Sequence, residues 1–112
     1  MPKIIVSDTS CLILFNKIGE LDLLKKLFGK LYITEKVLEE FNQPVPDWFK
    51  VTQLKTDVHK GLSSYLDTGE ATSIALASEY EDSLVIIDEI KGRKTAKELG
   101  IPVTGSLGVL MT

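Results

Sequence analysis

The chain has 112 residues, 44% of them hydrophobic and 26% charged, with a formal net charge of -3 at pH 7. That length supplies one core rather than two, and the composition is that of a globular domain, not of a disordered or fibrous chain. The acidic balance offers no global attraction to nucleic acid, and the longest uncharged apolar run, Cys11 to Phe15, is far too short to cross a bilayer.

The one cysteine, Cys11, excludes an internal disulfide and suits a reducing cytoplasm. Met1-Pro2-Lys3 leads straight into a strand rather than a signal peptide. Residues 3–7 are largely β-branched and scarcely alternate, which predicts a strand buried on both faces. Asp8-Thr9-Ser10 then offers small polar groups to cap a helix from Cys11 to about Ile18, broken by Gly19. Leu21, Leu23, Leu24, Leu27 and Phe28 form a second apolar helical stripe, closed by Gly29. Leu31-Tyr32-Ile33 reads as a short strand and Thr34 as the cap of a helix through Phe41. The prolines of Gln43-Pro44-Val45-Pro46-Asp47 forbid helix and predict a surface loop. A third strand is expected around Trp48 to Leu54, and one or two helical turns over His59 to Tyr65.

Asp67 to about Tyr80 is strongly helical, with Ala71, Ile74, Ala75, Leu76 and Ala77 small or apolar. Leu84 to Ile87 is the clearest buried strand. Lys91 to Leu99 is helical, Gly100 ends it, and Ile101 to Thr104 is a last short strand that Pro102 places near a sheet edge. No internal repeat or low-complexity segment interrupts the pattern. Strands alternating with helices predict an α/β fold, a parallel sheet covered on both faces. Ligands of such sheets collect beyond the carboxyl ends of the strands.

Two of those strands end on an acid, Asp8 and Asp88, and two helices between them carry Glu40 and Glu70. Four carboxylates sharing one small volume repel strongly, and a hard divalent cation with a preference for oxygen ligands relieves that repulsion. Each acid also has a plainer explanation. Asp8 could be a helix cap, although Thr9 and Ser10 could cap equally well. Glu39 points away from the Val37, Leu38 and Phe41 stripe while Glu40 falls nearer its edge, so Glu40 is the better site candidate. Glu70 closes a capping box, Asp67-Thr68-Gly69-Glu70, and sits where the helix dipole favours an acid. Asp88 follows four apolar residues, so its charge needs partners or a cation. Lys91, Arg93, Lys94 and Lys97 form a basic cluster beside Asp88, and Arg93 is the chain's only arginine. A role for Arg93 and Lys94 in docking phosphate follows.

Other chemistry is less well supported. His59, the only histidine, has no Ser or Cys at triad spacing, and Cys11 reads as core. Gly105-Ser106-Leu107-Gly108 could hold a phosphate at a helix start but lacks the P-loop lysine. An aspartyl-phosphate phosphatase would want an acid two residues after Asp8, where Ser10 stands.

Val6-Ser7-Asp8-Thr9-Ser10, Ile18 to Leu24, Leu66-Asp67-Thr68-Gly69-Glu70-Ala71, Ile86-Ile87-Asp88-Glu89 with Gly92-Arg93, and Val103 to Leu110 resemble PIN-domain proteins, in order along the whole chain. The nearest resemblance is to a branch of unknown function related to VapC-type toxins. It implies a single domain over 1–112 with a three-layer α/β/α fold and a parallel sheet. It also implies a ribonuclease dependent on Mg²⁺ or Mn²⁺. By position, the family's acids fall on Asp8, Glu40, Glu70 and Asp88, and its neighbouring polar residues on Thr9 and Ser10. RNA as substrate and an antitoxin as partner are further implications, and a core cut short near the last helix would expose apolar surface that favours a homodimer. Two departures stand out: Ser73 occupies a position often acidic in this branch, and the chain stops at Thr112, inside the apparent last helix, which reads as a truncation. Both give weight to a second expectation, a PIN-fold module that binds an antitoxin or RNA without cutting.

Overall fold

A computed structural model describes residues 4–112; Lys3, the first residue of the expected opening strand, and Met1-Pro2 before it lie outside the described residues. Five strands form one sheet: β1 (Ile4–Ser7), β2 (Leu31–Thr34), β3 (Phe49–Thr52), β4 (Ser83–Ile86) and β5 (Val103–Thr104), in the order β3-β2-β1-β4-β5. Every neighbouring pair is parallel. The helices are α1 (Thr9–Lys17), α2 (Leu21–Phe28), α3 (Glu35–Phe41), α4 (Val58–Leu62), α5 (Thr68–Ser78), α6 (Ile90–Glu98) and α7 (Ser106–Leu110). The winding runs outward from β1 through β2 to β3, then returns to β4 and goes the other way. The switch point therefore lies between β1 and β4, where a crevice opens at the carboxyl ends.

Side chains of successive strand residues alternate between faces, and the core divides accordingly. Ile5 joins Leu12, Phe15, Leu24, Ile33 and Phe41 under α1, α2 and α3. Val6 joins Ile74, Leu76, Val85, Ile87 and Ala96 under α5 and α6. The result is the expected three-layer α/β/α arrangement. α5 is buried from Gly69 to Ala77 and touches β1, β2 and β4 as well as its helical neighbours. Its run of small residues permits that close approach on every side.

The elements depart from expectation mainly at their ends. α1 begins at Thr9, two residues early, because Asp8 itself caps it. β3 stops at Thr52 and α4 at Leu62, short of the expected Leu54 and Tyr65. β5 lies at the sheet edge, as Pro102 required. Leu107, Leu110 and Met111 leave apolar surface exposed around α7. Among the described residues no helix is long and apolar enough to cross a membrane.

Candidate active site

β1 and β4 run in register from Ile4 opposite Ser83 to Ser7 opposite Ile86, so they end side by side at the switch point. Asp8 and Asp88 follow those ends. Asp8 is 1% exposed; its Oδ1 accepts the Cys11 amide at 3.0 Å, while Oδ2 is buried without a hydrogen-bond partner. The expectation that Thr9 or Ser10 would relieve Asp8 of capping is wrong, because Thr9 is committed elsewhere. Asp8 therefore spends one oxygen on the helix and keeps the other free. Burial pushes its carboxyl up to about 6 against the pull of the Cys11 amide and thiol, and repulsion from Asp67 and Asp88 adds to the rise.

Asp88 is in the opposite condition. Ser106 donates its amide to Oδ1 and its hydroxyl to Oδ2, both at 2.6 Å, and the Cys11 thiol lies 3.5 Å from Oδ2. Burial pushes Asp88 up, but the Ser106 donors, the thiol and the Arg93 charge outweigh it and hold the carboxyl below its ordinary value. The turn at Gly105-Ser106, which could have held a phosphate but lacks the P-loop lysine, is instead filled by the protein's own carboxylate. Gly105 makes room for this: a Cβ there would stand 2.5 Å from Arg93 Nη1 and 2.7 Å from Asp88 Oδ1. Ser106→Ala leaves Asp88 short of both hydroxyl donation and charge stabilisation. It is expected to cost about 1–3 kcal/mol of stability, measured by urea denaturation, and to weaken Mn²⁺ binding by calorimetry.

Glu70 is 5% exposed. Asp67 caps α5 by accepting the Glu70 amide at 2.8 Å, one half of the expected capping box; the other half, Glu70 reaching back to the Asp67 amide, is not among the hydrogen bonds of the described residues. The Glu70 carboxyl faces α6: a Cβ on Gly92 would stand 3.4 Å from its Oε2 and 2.9 Å from Ile87 Cγ2. Burial first, then repulsion from Asp67, Glu89 and Asp8, pushes Glu70 up to about 7. Gly92→Ala must push α6 from the sheet or displace Glu70. The expected loss is about 1–3 kcal/mol, read as a lower denaturation midpoint with unchanged slope.

Glu40 stands at the edge of the group and is exposed. It accepts the Thr9 hydroxyl at 2.6 Å, whereas Glu39 pairs with Lys36 at 3.6 Å on the outer face. Asp8, Thr9, Ser10, Ile13, Glu40 and Asp67 line a hollow of about 390 Å³. Gly69 lies so close to Glu40 Oε1 and Thr9 Oγ1 that no Cβ fits there without displacing them. Ser73, at the position often acidic in the resembling branch, is fully buried and donates to the Gly69 carbonyl at 2.7 Å.

Asp8, Glu70 and Asp88 are thus drawn together, with Glu40 at the rim. Arg93 joins them beside Asp88; Lys94 does not, and lines a separate hollow with Tyr65. Four participants escaped the sequence reading. Asp67, read only as a cap, repels both Asp8 and Glu70. Glu89 is exposed, caps α6 by accepting the Gly92 amide at 3.2 Å and repels Glu70. Their spacing to Glu70 and Asp88 was the available signal. Ser106, 18 residues beyond Asp88, drew notice only as a possible phosphate holder, not as the partner of an acid. Cys11 is core as expected, yet burial keeps its thiol protonated, so it can serve as a donor between two acids.

Among the described residues no three acidic, histidine or cysteine side chains close around one point at metal-binding distance. The donor set nevertheless suits a hard dication. A buried carboxylate oxygen without a partner, Asp8 Oδ2, lies among acids that repel it, and each acid supplies the oxygen donors that Mg²⁺ and Mn²⁺ prefer. A family model described as a PIN domain matches residues 4–112. The chain belongs to the PIN-domain family. No curated protein matches it. PIN domains are generally nucleases and typically use divalent metals, which is the chemistry that two buried carboxylates, Asp8 and Glu70, beside the exposed Asp88 at a switch point support.

Proposed function

We propose that this PIN domain is a Mg²⁺- or Mn²⁺-dependent endoribonuclease that hydrolyses RNA phosphodiester bonds. The observation that carries the reading is the unpartnered, buried Oδ2 of Asp8, a carboxylate repelled by Asp67 and Asp88 and itself repelling Glu70 at the switch point. Such an arrangement is costly for a protein with no cation to receive. Asp8 and Asp88 are the residues to hold the ion directly, with Glu40 and Glu70 completing the set. When bound, the ion supplies charge compensation and lowers the pKa of a coordinated water.

The chain's own groups divide the remaining work. Ser106 and Cys11 orient Asp88 and keep it ionised. Glu70, with its carboxyl near neutrality, can take a proton from attacking water and give it up again. Arg93, the fixed cation beside Asp88, faces charge developing on phosphate oxygens. Thr9 and Ser10 line the hollow through which a strand would pass, with Thr9 holding Glu40.

The test is incubation of the protein with single-stranded RNA and Mn²⁺ or Mg²⁺. Internal cleavage abolished by chelator supports the reading. Binding without cleavage under every divalent ion would instead support the binding-module alternative, which the serine at position 73 favours. Gly69→Ala displaces Glu40 at the flexible end of a side chain rather than in the core. It is expected to reduce cleavage about tenfold or more with a stability change under about 1 kcal/mol.

A VapC-type toxin role predicts growth arrest on expression, relieved by an antitoxin and by loss of Asp8; cleavage without arrest points to RNA processing. Leu107, Leu110 and Met111, exposed on α7 and just beyond, are the surface proposed for a homodimer. Sedimentation of a Leu107→Glu variant as a monomer, where the wild type is dimeric, checks that assignment.

A further inference from the structure

α6 divides its basic residues between two faces. Arg93 turns toward Asp88 and Gly105. Lys91 and Lys94 lie on another stripe with Thr95 and Glu98, at the spacing that aligns side chains along one side of a helix. Tyr65, 52% exposed, joins them from the connection between α4 and α5. These five residues line a hollow of about 280 Å³. Among the described residues the ion pairs are Lys36–Glu39 and Lys60–Asp57, so neither Lys91 nor Lys94 is neutralised by one. Two unpaired cations therefore flank a half-exposed aromatic ring on a chain of net charge -3, with Glu98 the one acid in the hollow.

The hollow is linked to the acids through the chain: Lys91 is followed by Gly92, where an added Cβ would stand 3.4 Å from Glu70 Oε2. Lys91 follows Asp88 by three residues, and Tyr65 precedes Asp67 by two. Asp67 is the acid that repels both Asp8 and Glu70. From Lys91 to Glu98 the stripe climbs about 10 Å along the helix, away from the site. A strand leaving the acids would meet the ring and the two lysines first and the repelling Glu98 last.

We infer that Tyr65, Lys91 and Lys94 form a docking platform for single-stranded RNA, on which one unpaired base stacks on the Tyr65 ring while the lysines hold the adjoining phosphates. The inference rests on the ribonuclease reading and adds to it the residues that hold the strand beside the acids. An aromatic face accepts any base, because every base presents a π-surface, and lysines meet phosphate as point charges without reading sequence. In a duplex that base is already stacked on its neighbours, and the ring has nothing to receive.

The experiment measures fluorescence anisotropy of a labelled oligouridylate of about eight nucleotides in EDTA, where binding is read without cleavage. Tyr65→Ala is expected to weaken binding about tenfold or more, and Tyr65→Phe to keep wild-type affinity. The Lys91→Ala/Lys94→Ala double variant is expected to lower the slope of log affinity against log salt by about one to two, whereas Lys26→Ala on α2 leaves it unchanged. Equal affinity of Tyr65→Ala and wild type overturns the platform even where cleavage by the wild type is intact. So does equal affinity for a duplex of the same length, or no binding by the wild type. Binding that depends on Tyr65, without cleavage under Mn²⁺, overturns the nuclease reading and leaves the platform standing.

Discussion

Asp8→Asn should abolish metal-dependent RNA cleavage while making the metal-free protein more stable. The two effects share one cause. Asparagine retains the side-chain oxygen that accepts the Cys11 amide, so the α1 cap survives. What it removes is the charge on a carboxyl 1% exposed, with one oxygen lacking any partner and with Asp67 and Asp88 repelling it. Relief of that charge is worth about 1–3 kcal/mol, which in a domain of this size raises Tm by roughly 4–8 °C per kcal/mol. Cleavage should fall at least about a thousandfold, corresponding to about 4 kcal/mol of lost transition-state stabilisation. Asp8→Ala loses the cap as well, and its Tm should lie below that of Asp8→Asn. Thermal melts in EDTA and a gel assay with Mn²⁺ read both quantities. A variant that melts lower than wild type and still cuts would reduce Asp8 to a structural cap.

The second large effect is a fall in the stability of the metal-free protein as pH rises through the weakly acidic range. In the unfolded chain the Asp8 carboxyl has its ordinary value of 3.8 and in the folded protein about 6; for Glu70 the corresponding values are 4.5 and about 7. The folded state therefore holds these protons more tightly than the unfolded one. Their contribution to stability is complete below about pH 4 and is lost as pH rises through 6 and 7. Asp8 alone accounts for a loss on the order of 3 kcal/mol. Asp88 has the opposite sign: its lowered value contributes stability above 3.8 that is lost in stronger acid, outside this window. Denaturant midpoints in EDTA should fall between about pH 4.5 and 7.5. Saturating Mn²⁺ should reverse the trend, because the ion competes with protons for the same oxygens. A flat profile in EDTA would show that the acids are not crowded in solution.

Much of this fold was legible in residue order because its determinants are local. The β-branched runs at Ile4–Val6 and Leu84–Ile87, the apolar stripe of α2 and the glycine ending it, and the prolines at 44 and 46 act over a few residues each. Helical periodicity sufficed to separate Glu40 from Glu39, since 100° on a helix decides which neighbour a side chain can meet. The ends of elements were less legible. Whether Asp8, Thr9 or Ser10 caps α1 depends on Glu40, 31 residues from Thr9, which takes the Thr9 hydroxyl.

What residue order alone determined is the alternation of strands and helices, hence a parallel sheet with acids at the ends of β1 and β4. What the tertiary structure alone decided is the condition of those acids. Two aspartates at equivalent strand ends acquire opposite proton affinities, because Ser106 and Arg93 reach Asp88 while no donor reaches Asp8 Oδ2. The glycines at 69, 92 and 105 set how closely the helices bring the charges together. Proton affinity follows burial and the donors within a few ångströms, and those come from segments far apart in the chain.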